Sequence, residues 1–230
     1  NFILGFGKID GQDVIVGGED FTVKGGSPNA AGLRKSVYTE DLAVKHKFPL
    51  IRLHEGGGGS VAGPSKEKKG YGGDPVFARS RFKSVAQTLK EVPVVSAALG
   101  PVAGLPASRF VGSHFRIMVK DNAQILVAGP AVVSRAFGTD FTKEELGGSD
   151  VHKKNGVTDN IAESEEDAFN QIKKFLSFFP ANIYELPPHK ESKDAIDRSE
   201  KLLEEIIPKD RKKTYEMREI IQMVVDDKDF

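Results

Sequence analysis

The chain has 230 residues, enough for one large core or two modest domains, and its 39% hydrophobic and 29% charged residues are ordinary for a soluble globular protein. Its 33 basic and 33 acidic residues cancel, which removes any global electrostatic argument for a nucleic-acid or anionic-membrane partner. The absence of cysteine excludes disulfides and thiolate-held metal sites, and no apolar run is long enough to span a bilayer.

The chain opens at Asn1 with no charged-then-apolar leader and reads as a piece of something longer. Residues 2–23, "FILGFGKIDGQDVIVGGEDFTV", alternate apolar and polar, with Asp10-Gly11 and Gly17-Gly18 as hairpin signals between short strands. A helix is expected over 27–47, with Ser27 as cap and Pro28 at the first helical position. "FPLIRL" (48–53) is a short apolar strand that runs into His54, Glu55 and four consecutive glycines. Residues 65–75, "SKEKKGYGGDP", read as a basic, glycine-rich loop, and Asp74 and Pro75 open a helix through 76–91. "VPVVSAAL" (92–99) has the composition of a buried strand and ends in a second glycine loop, "GPVAGLPA". Strands "RIMVK" and "QILVAG" follow with Asp121-Asn122 as the turn between them, and Pro130 starts the helix "AVVSRAF". Thr142 and Glu145 have capping-box spacing, with Gly147 as a stop. An amphipathic helix over 165–180 places Ala168, Ile172, Phe175 and Phe179 on one face. Residues 181–212 read as a linker or wrapping arm and 213–230 as a charged amphipathic tail. Two successive strand–glycine-loop–helix units predict a layered α/β domain with parallel pairing.

Glycines 56–59 admit three readings: a flexible linker, a turn needing positive φ, or a backbone surface that a ligand approaches closely. If the two apolar strands are neighbours, both glycine loops lie at the carboxyl edge of the sheet, where open α/β folds bind ligands. Backbone N–H groups from two such loops can converge on one oxygen and stabilise an enolate or tetrahedral intermediate. Competing motifs fail: no lysine follows the glycines as a Walker loop requires, there is no G-x-S-x-G elbow, and "GFGKID" lacks a third glycine. The five histidines are not at metal-ligand spacing. His54 and Glu55 are either acid–base groups or structural, and His152 reads as positional.

From residue 20 onward the sequence resembles the carboxyltransferase (beta) subunits of biotin-dependent acyl-CoA carboxylases of the propionyl-CoA and methylcrotonyl-CoA type. The resemblance is densest over 119–160, with Gly129-Pro130 before Val132-Val133, Leu146-Gly147-Gly148 before His152, and Gly156-Val157 before Asp159. "GEDFTVKGGS" (18–27) and "PVVSAALGPVAG" (93–104) also match, and 214–230 resembles the entry into that family's second half.

The resemblance implies a crotonase-like α/β fold and two halves per complete chain. Residues 1–180 would be the acyl-CoA-binding domain, 181–212 the linker, and 213–230 the start of the half that receives carboxybiotin. Gly58 and Gly59, with Gly104 and Leu105, would supply the oxyanion hole. Leu105-Pro106 stands where the family has Gly-Ala, and Ser60 where it has arginine. Lys24, Gly25 and Gly26 would contact coenzyme A. Lys68, Lys69, Arg79 and Arg81 give a local positive excess that reads either as a CoA phosphate contact or as a solvated loop. Implied partners are an acyl-CoA, a biotin carboxylase or biotin-carrier subunit delivering carboxybiotin, and further copies in a hexamer built as a trimer of dimers. Neither nucleic acid nor membrane is implied. The expected setting is cytoplasmic, or the mitochondrial matrix in a eukaryote. A crotonase-type decarboxylase or hydratase, and a non-catalytic acyl-CoA-binding module, are the alternatives.

Overall fold

A computed structural model describes residues 1–59, 80–189, 191 and 194–228. Strands β1 (Phe2–Ile9) and β2 (Gln12–Glu19) form the expected antiparallel hairpin, turned at Asp10 and Gly11 with φ of 48° and 87°. Gly17-Gly18 is not a turn, because both residues lie inside β2. Their missing side chains serve packing: a methyl on Gly17 would lie 2.8 Å from Thr39 Cγ2, and one on Gly18 2.5 Å from the Leu53 carbonyl oxygen.

Helix α1 (Ala30–His46) starts later than expected, since Asn29 rather than Ser27 is the cap; its Oδ1 accepts from Gly32 N–H at 2.7 Å. Strand β3 (Leu50–Gly56) follows, then α2 (Arg81–Glu91). The predicted helix start at Asp74-Pro75 and the basic loop before it fall outside the described residues. β4 (Val94–Ala103) runs on through Gly100 and Pro101, which the sequence placed in a loop. Helix α3 (Leu105–Val111) begins directly after it, at Leu105.

β5 (Phe115–Val119) and β6 (Gln124–Leu126) flank the Asp121-Asn122 turn, but they do not pair with each other. Both run parallel to β4 on one edge, β5 against Val95–Ala98 and β6 against Pro101–Ala103. Helices α4 (Pro130–Phe137), α5 (Lys143–Gly147) and α6 (Ser149–Asn155) come next, then β7 (Asn160–Ala162) and α7 (Glu165–Ser177). The capping box at Thr142 and Glu145 is formed. The sheet order is β1-β2-β3-β4-β5-β7, with every pair after the hairpin parallel.

The period-2 alternation of the strands divides the core. Leu50 and Val94 pack with Ile15, Leu42 and Ala43, while Ile51, Val95, Ala97 and Ile117 pack in the cluster that contains Ala168, Ile172 and Leu176 of α7. Phe175 stacks on Phe115 at 4.9 Å. Phe179 lies beyond the helix end, and Leu176 takes its expected place in the core.

Residues 1–188 form one compact unit and 189–230 another. The second holds α8 (Met217–Val224), which buries no residue fully. No described helix is long and apolar enough to cross a membrane.

Gly18→Ala should lower stability by about 1–3 kcal/mol, the usual cost of overpacking. Gly5→Ala, with nothing within 4 Å of the added methyl, should be far milder in the same thermal denaturation.

Candidate functional site

The carboxyl ends of the parallel strands β2, β3 and β4 share one edge of the sheet. Three loops leave that edge. After β2, Lys24, Gly25 and Gly26 turn with φ of 58°, 60° and 67°. Lys24 is exposed, whereas Gly26 is buried so tightly that an added methyl would lie 2.5 Å from the Glu55 carbonyl oxygen. Gly57 N–H donates to Gly25 O at 2.9 Å, tying this turn to the end of β3.

After β3, Gly58 is buried with φ of 71°, and a methyl on it would lie 2.5 Å from the Ala103 carbonyl oxygen. After β4, Gly104 adopts φ 65° and ψ −125°, a conformation open to glycine alone. A methyl there would stand 3.6 Å from Gly58 Cα and 3.9 Å from Gly59 N. The two predicted glycine loops therefore meet backbone to backbone.

Gly104 itself is not a free donor, since its N–H bonds to Leu126 O at 3.1 Å. The first amide this loop offers is that of Leu105, at the start of α3, where intrahelical acceptors are lacking. Pro106 carries no N–H. Arg81 opens α2; Lys68, Lys69 and Arg79 lie outside the described residues.

Beneath these loops is a buried polar cluster that sequence reasoning did not find. Arg52 on β3 is 0% exposed and Glu40 on α1 is 1% exposed. Arg52 Nη2 donates to Glu40 Oε1 at 2.9 Å, and Arg109 Nε on α3 donates to the same oxygen at 3.1 Å. Arg109 Nη1 faces Glu19 Oε1 at 3.6 Å, and Glu19 Oε2 meets His54 Nδ1 at 2.9 Å. His54 Nε2 reaches Ser96 Oγ at 3.4 Å, Ser96 Oγ bonds to Ser113 Oγ at 2.7 Å, and Arg52 Nη1 donates to Ser113 Oγ at 3.2 Å.

His54 is thus engaged on both nitrogens and acts structurally. Burial pushes its pKa below the ordinary 6.5; Glu19 pulls it back up, while Arg109 and Arg52 oppose the proton. Burial alone would raise Glu19, but His54 and Arg109 together hold its carboxyl below the ordinary carboxylate range. Burial, with Arg109 nearby, pushes Arg52 down to about 10. A signal was present in "LIRLHEG": Arg52 and His54, polar residues at alternate positions, interrupt an otherwise apolar strand.

His152 is positional, as its surroundings in the sequence indicated. Its Nε2 bonds to Ile125 O at 2.7 Å and fixes α6 on β6, while Gly147 lets α5 close on the same carbonyl. Through Gly104 N–H and Leu126 O, that clamp reaches the second glycine loop. Glu55 is half-buried and packs over Gly100, where an added methyl would lie 2.6 Å from Glu55 Oε1.

Residues 2–230 match the family model described as carboxyl transferase domain. The propionyl-CoA carboxylase beta chain of Roseobacter denitrificans is 32% identical over 229 residues, covering 99% of this chain and 44% of the relative. Methylmalonyl-CoA decarboxylase subunit alpha of Veillonella parvula is 31% identical over 229 residues, with 99% and 44% covered. Among solved structures, the transcarboxylase 12S hexamer core with methylmalonyl-coenzyme A and methylmalonic acid bound superposes with a TM-score of 0.77. Its identity is 28%, over 98% of this chain and 42% of that one. The chain spans under half the length of each of these proteins. The likeness to transcarboxylase places the α/β layers in the crotonase-like arrangement.

Glu40→Gln would leave two buried guanidiniums without their shared carboxylate, and should cost about 3–5 kcal/mol in chemical denaturation. His54 binds a proton more readily unfolded than folded, so its contribution is complete above 6.5 and declines as pH falls below it. Thermal melts should therefore weaken with acidification from that point, and His54→Gln should flatten the dependence.

Proposed function

Because the chain belongs to the carboxyl transferase domain family, we propose that it is the acyl-CoA-holding half of a carboxyltransferase that moves a carboxyl group from carboxybiotin to the alpha carbon of an acyl-CoA. The observation that carries this reading is the meeting of the Gly58 and Gly104 loops at the carboxyl edge of the sheet. As the N–carboxyl bond of carboxybiotin breaks, the biotin nitrogen left behind would take the proton from the alpha carbon of the thioester, and the C–H electron pair would move onto the thioester oxygen. Amides of the Gly58–Gly59 segment and of Leu105 hydrogen bond that oxygen, and the enolate carbon then takes up the carboxyl group. A thioester oxygen suits such a cradle, because it needs close backbone approach and no side chain.

Carboxybiotin, carried by a biotin-carrier partner, supplies the activated carboxyl group. On this reading residues 1–180 bind the acyl-CoA, 181–212 link, and 213–230 lead into the half that receives carboxybiotin. The transcarboxylase neighbour is described as a hexamer, and we extend that assembly to this protein. Its setting is then the cytoplasm, or the mitochondrial matrix in a eukaryote. Lys24, Gly25 and Gly26 border the CoA, with Lys68, Lys69, Arg79 and Arg81 near its phosphates.

The Veillonella relative favours a second reading, in which the same oxyanion cradle serves decarboxylation of a carboxylated acyl-CoA. Assays of the full-length protein with carboxybiotin and a panel of acyl-CoAs, against carboxylated acyl-CoAs alone, separate the two.

In the full-length enzyme, Gly58→Val should part the two loops and lower turnover by about 10²- to 10³-fold, the usual effect of losing one oxyanion donor. Turnover near wild type in a folded variant would reduce the loops to turns. Lys68→Glu with Lys69→Glu should weaken CoA binding at low salt, and the difference should shrink as salt is raised. Unchanged low-salt affinity would rule out the phosphate contact.

A further inference from the structure

The buried polar residues under the site close on themselves. One consistent assignment of protons runs around the whole cluster: Arg52 donates to Ser113, Ser113 to Ser96, Ser96 to His54 Nε2, and His54 Nδ1–H to Glu19. Arg109 donates to Glu40 and forms an ion pair with Glu19 at 3.6 Å, and Arg52 closes the ring on Glu40. Two carboxylates balance two guanidiniums, so the ring is electroneutral only while His54 is uncharged. A proton on Nε2 would turn the acceptor of Ser96 O–H into a donor. It would also place a third cation beside Arg52 and Arg109.

Three of the links, Glu19, His54 and Arg109, belong to elements that carry or begin at a loop of the site. Glu19 is the last residue of β2, His54 lies two residues before Gly56, and Arg109 is one turn along α3 from Leu105. The contact with the loops is direct. A methyl on Gly56 would lie 3.1 Å from Glu19 Cγ, and Glu19, Gly26, Leu105 and Arg109 all border one small cavity.

We propose that Glu19, His54 and Arg109 are positioning residues that set the spacing between the Gly56–Gly59 loop and the first turn of α3, and so between the donors of the oxyanion cradle. The inference rests on the functional reading above for its catalytic consequence and on the ring geometry alone for its structural one. The groups facing His54 are Glu19 from β2, Ser96 from β4, Arg109 and the Phe110 ring from α3, with Arg52 on its own strand and Glu40 of α1 beyond them. Among these, Glu19 alone favours a proton on His54, and the two guanidiniums oppose it.

The experiment uses the full-length chain, wild type and with Glu19→Gln or the milder His54→Gln. Amide hydrogen exchange by mass spectrometry is followed at 56–59 and 104–108, with α7 as the internal reference, together with kcat and acyl-CoA KM. Faster exchange at the two loops with α7 unchanged is expected in both variants. The same change is expected in the wild type as the pH is lowered from neutrality to below 6.5, because burial, Arg109 and Arg52 keep His54 uncharged until the pH falls beneath the ordinary histidine value. Turnover should fall by about 10- to 100-fold with KM little changed, since a misplacement near 1 Å costs that much. The acid limb of the kcat profile should be lost in His54→Gln. Loop exchange equal to wild type in folded variants would overturn the proposal. So would a rise spread equally over α7, because the ring would then hold the fold and not the spacing. Loop exchange that responds in a protein with no carboxyl transfer would leave the ring standing and remove the functional reading.

Discussion

The constraint on which the rest of the structure depends is the contact between Gly58 and the Ala103 carbonyl. There is no room between them for even a methyl group. Two parallel strands that end in separate loops would ordinarily keep side chains between those loops. Here β3 and β4 deliver their loops at backbone separation, and the turn after β2 presses on β3 in the same way through Gly26 and Glu55. Glycine makes this possible and also makes it costly, because each one surrenders more chain entropy on folding than any other residue. An edge assembled from such residues needs its position fixed from below.

The ring of buried charges supplies that fixing. Hydrophobic side chains of similar volume would hold the helices to the sheet about as well, and replacing buried ion pairs in this way is often neutral or stabilising. What apolar packing does not supply is direction. A guanidinium that donates to Glu40 and pairs with Glu19 sets α3 against α1 and β2 at defined distances, and Arg52 ties β3 to α1 in the same way. The ring therefore belongs with the geometry of the edge more than with the stability of the core. Its electroneutrality ties that geometry to the protonation of one histidine.

Local features of the fold were legible in the sequence. The Asp10-Gly11 turn, the start of α4 at Pro130 and the Thr142–Glu145 box each depend on neighbours a few residues away, and each is present. The parallel pairing of the two apolar strands could also be read from their composition and the helix between them. Gly17-Gly18 could not, because a glycine pair looks the same whether it turns a chain or lets another chain pass close. Here the deciding groups were Thr39 and Leu53, distant in sequence. The end of β4 was missed for a related reason: Gly100 and Pro101 look like a loop, but the Glu55 side chain lies where a residue-100 side chain would stand. The ring was the least legible part, since its hydrogen bonds alone join residues as far as 69 positions apart.

The second glycine loop shows how far one substitution narrows the chemistry of the site. Gly104 is committed to Leu126, and through β6 to the α5–α6 clamp that His152 closes. Pro106 has no hydrogen to give. The donor this loop can direct at an oxyanion is therefore the Leu105 amide at the head of α3. That amide moves with the helix, and the helix is held by Arg109. A site with Gly-Ala at 105 and 106 would have a second amide in reserve and would tolerate a small shift of α3. With Leu105-Pro106 in their place, a displacement of the helix moves the one donor directly. The same sequence change that removes redundancy from the oxyanion cradle makes the ion ring beneath it matter more.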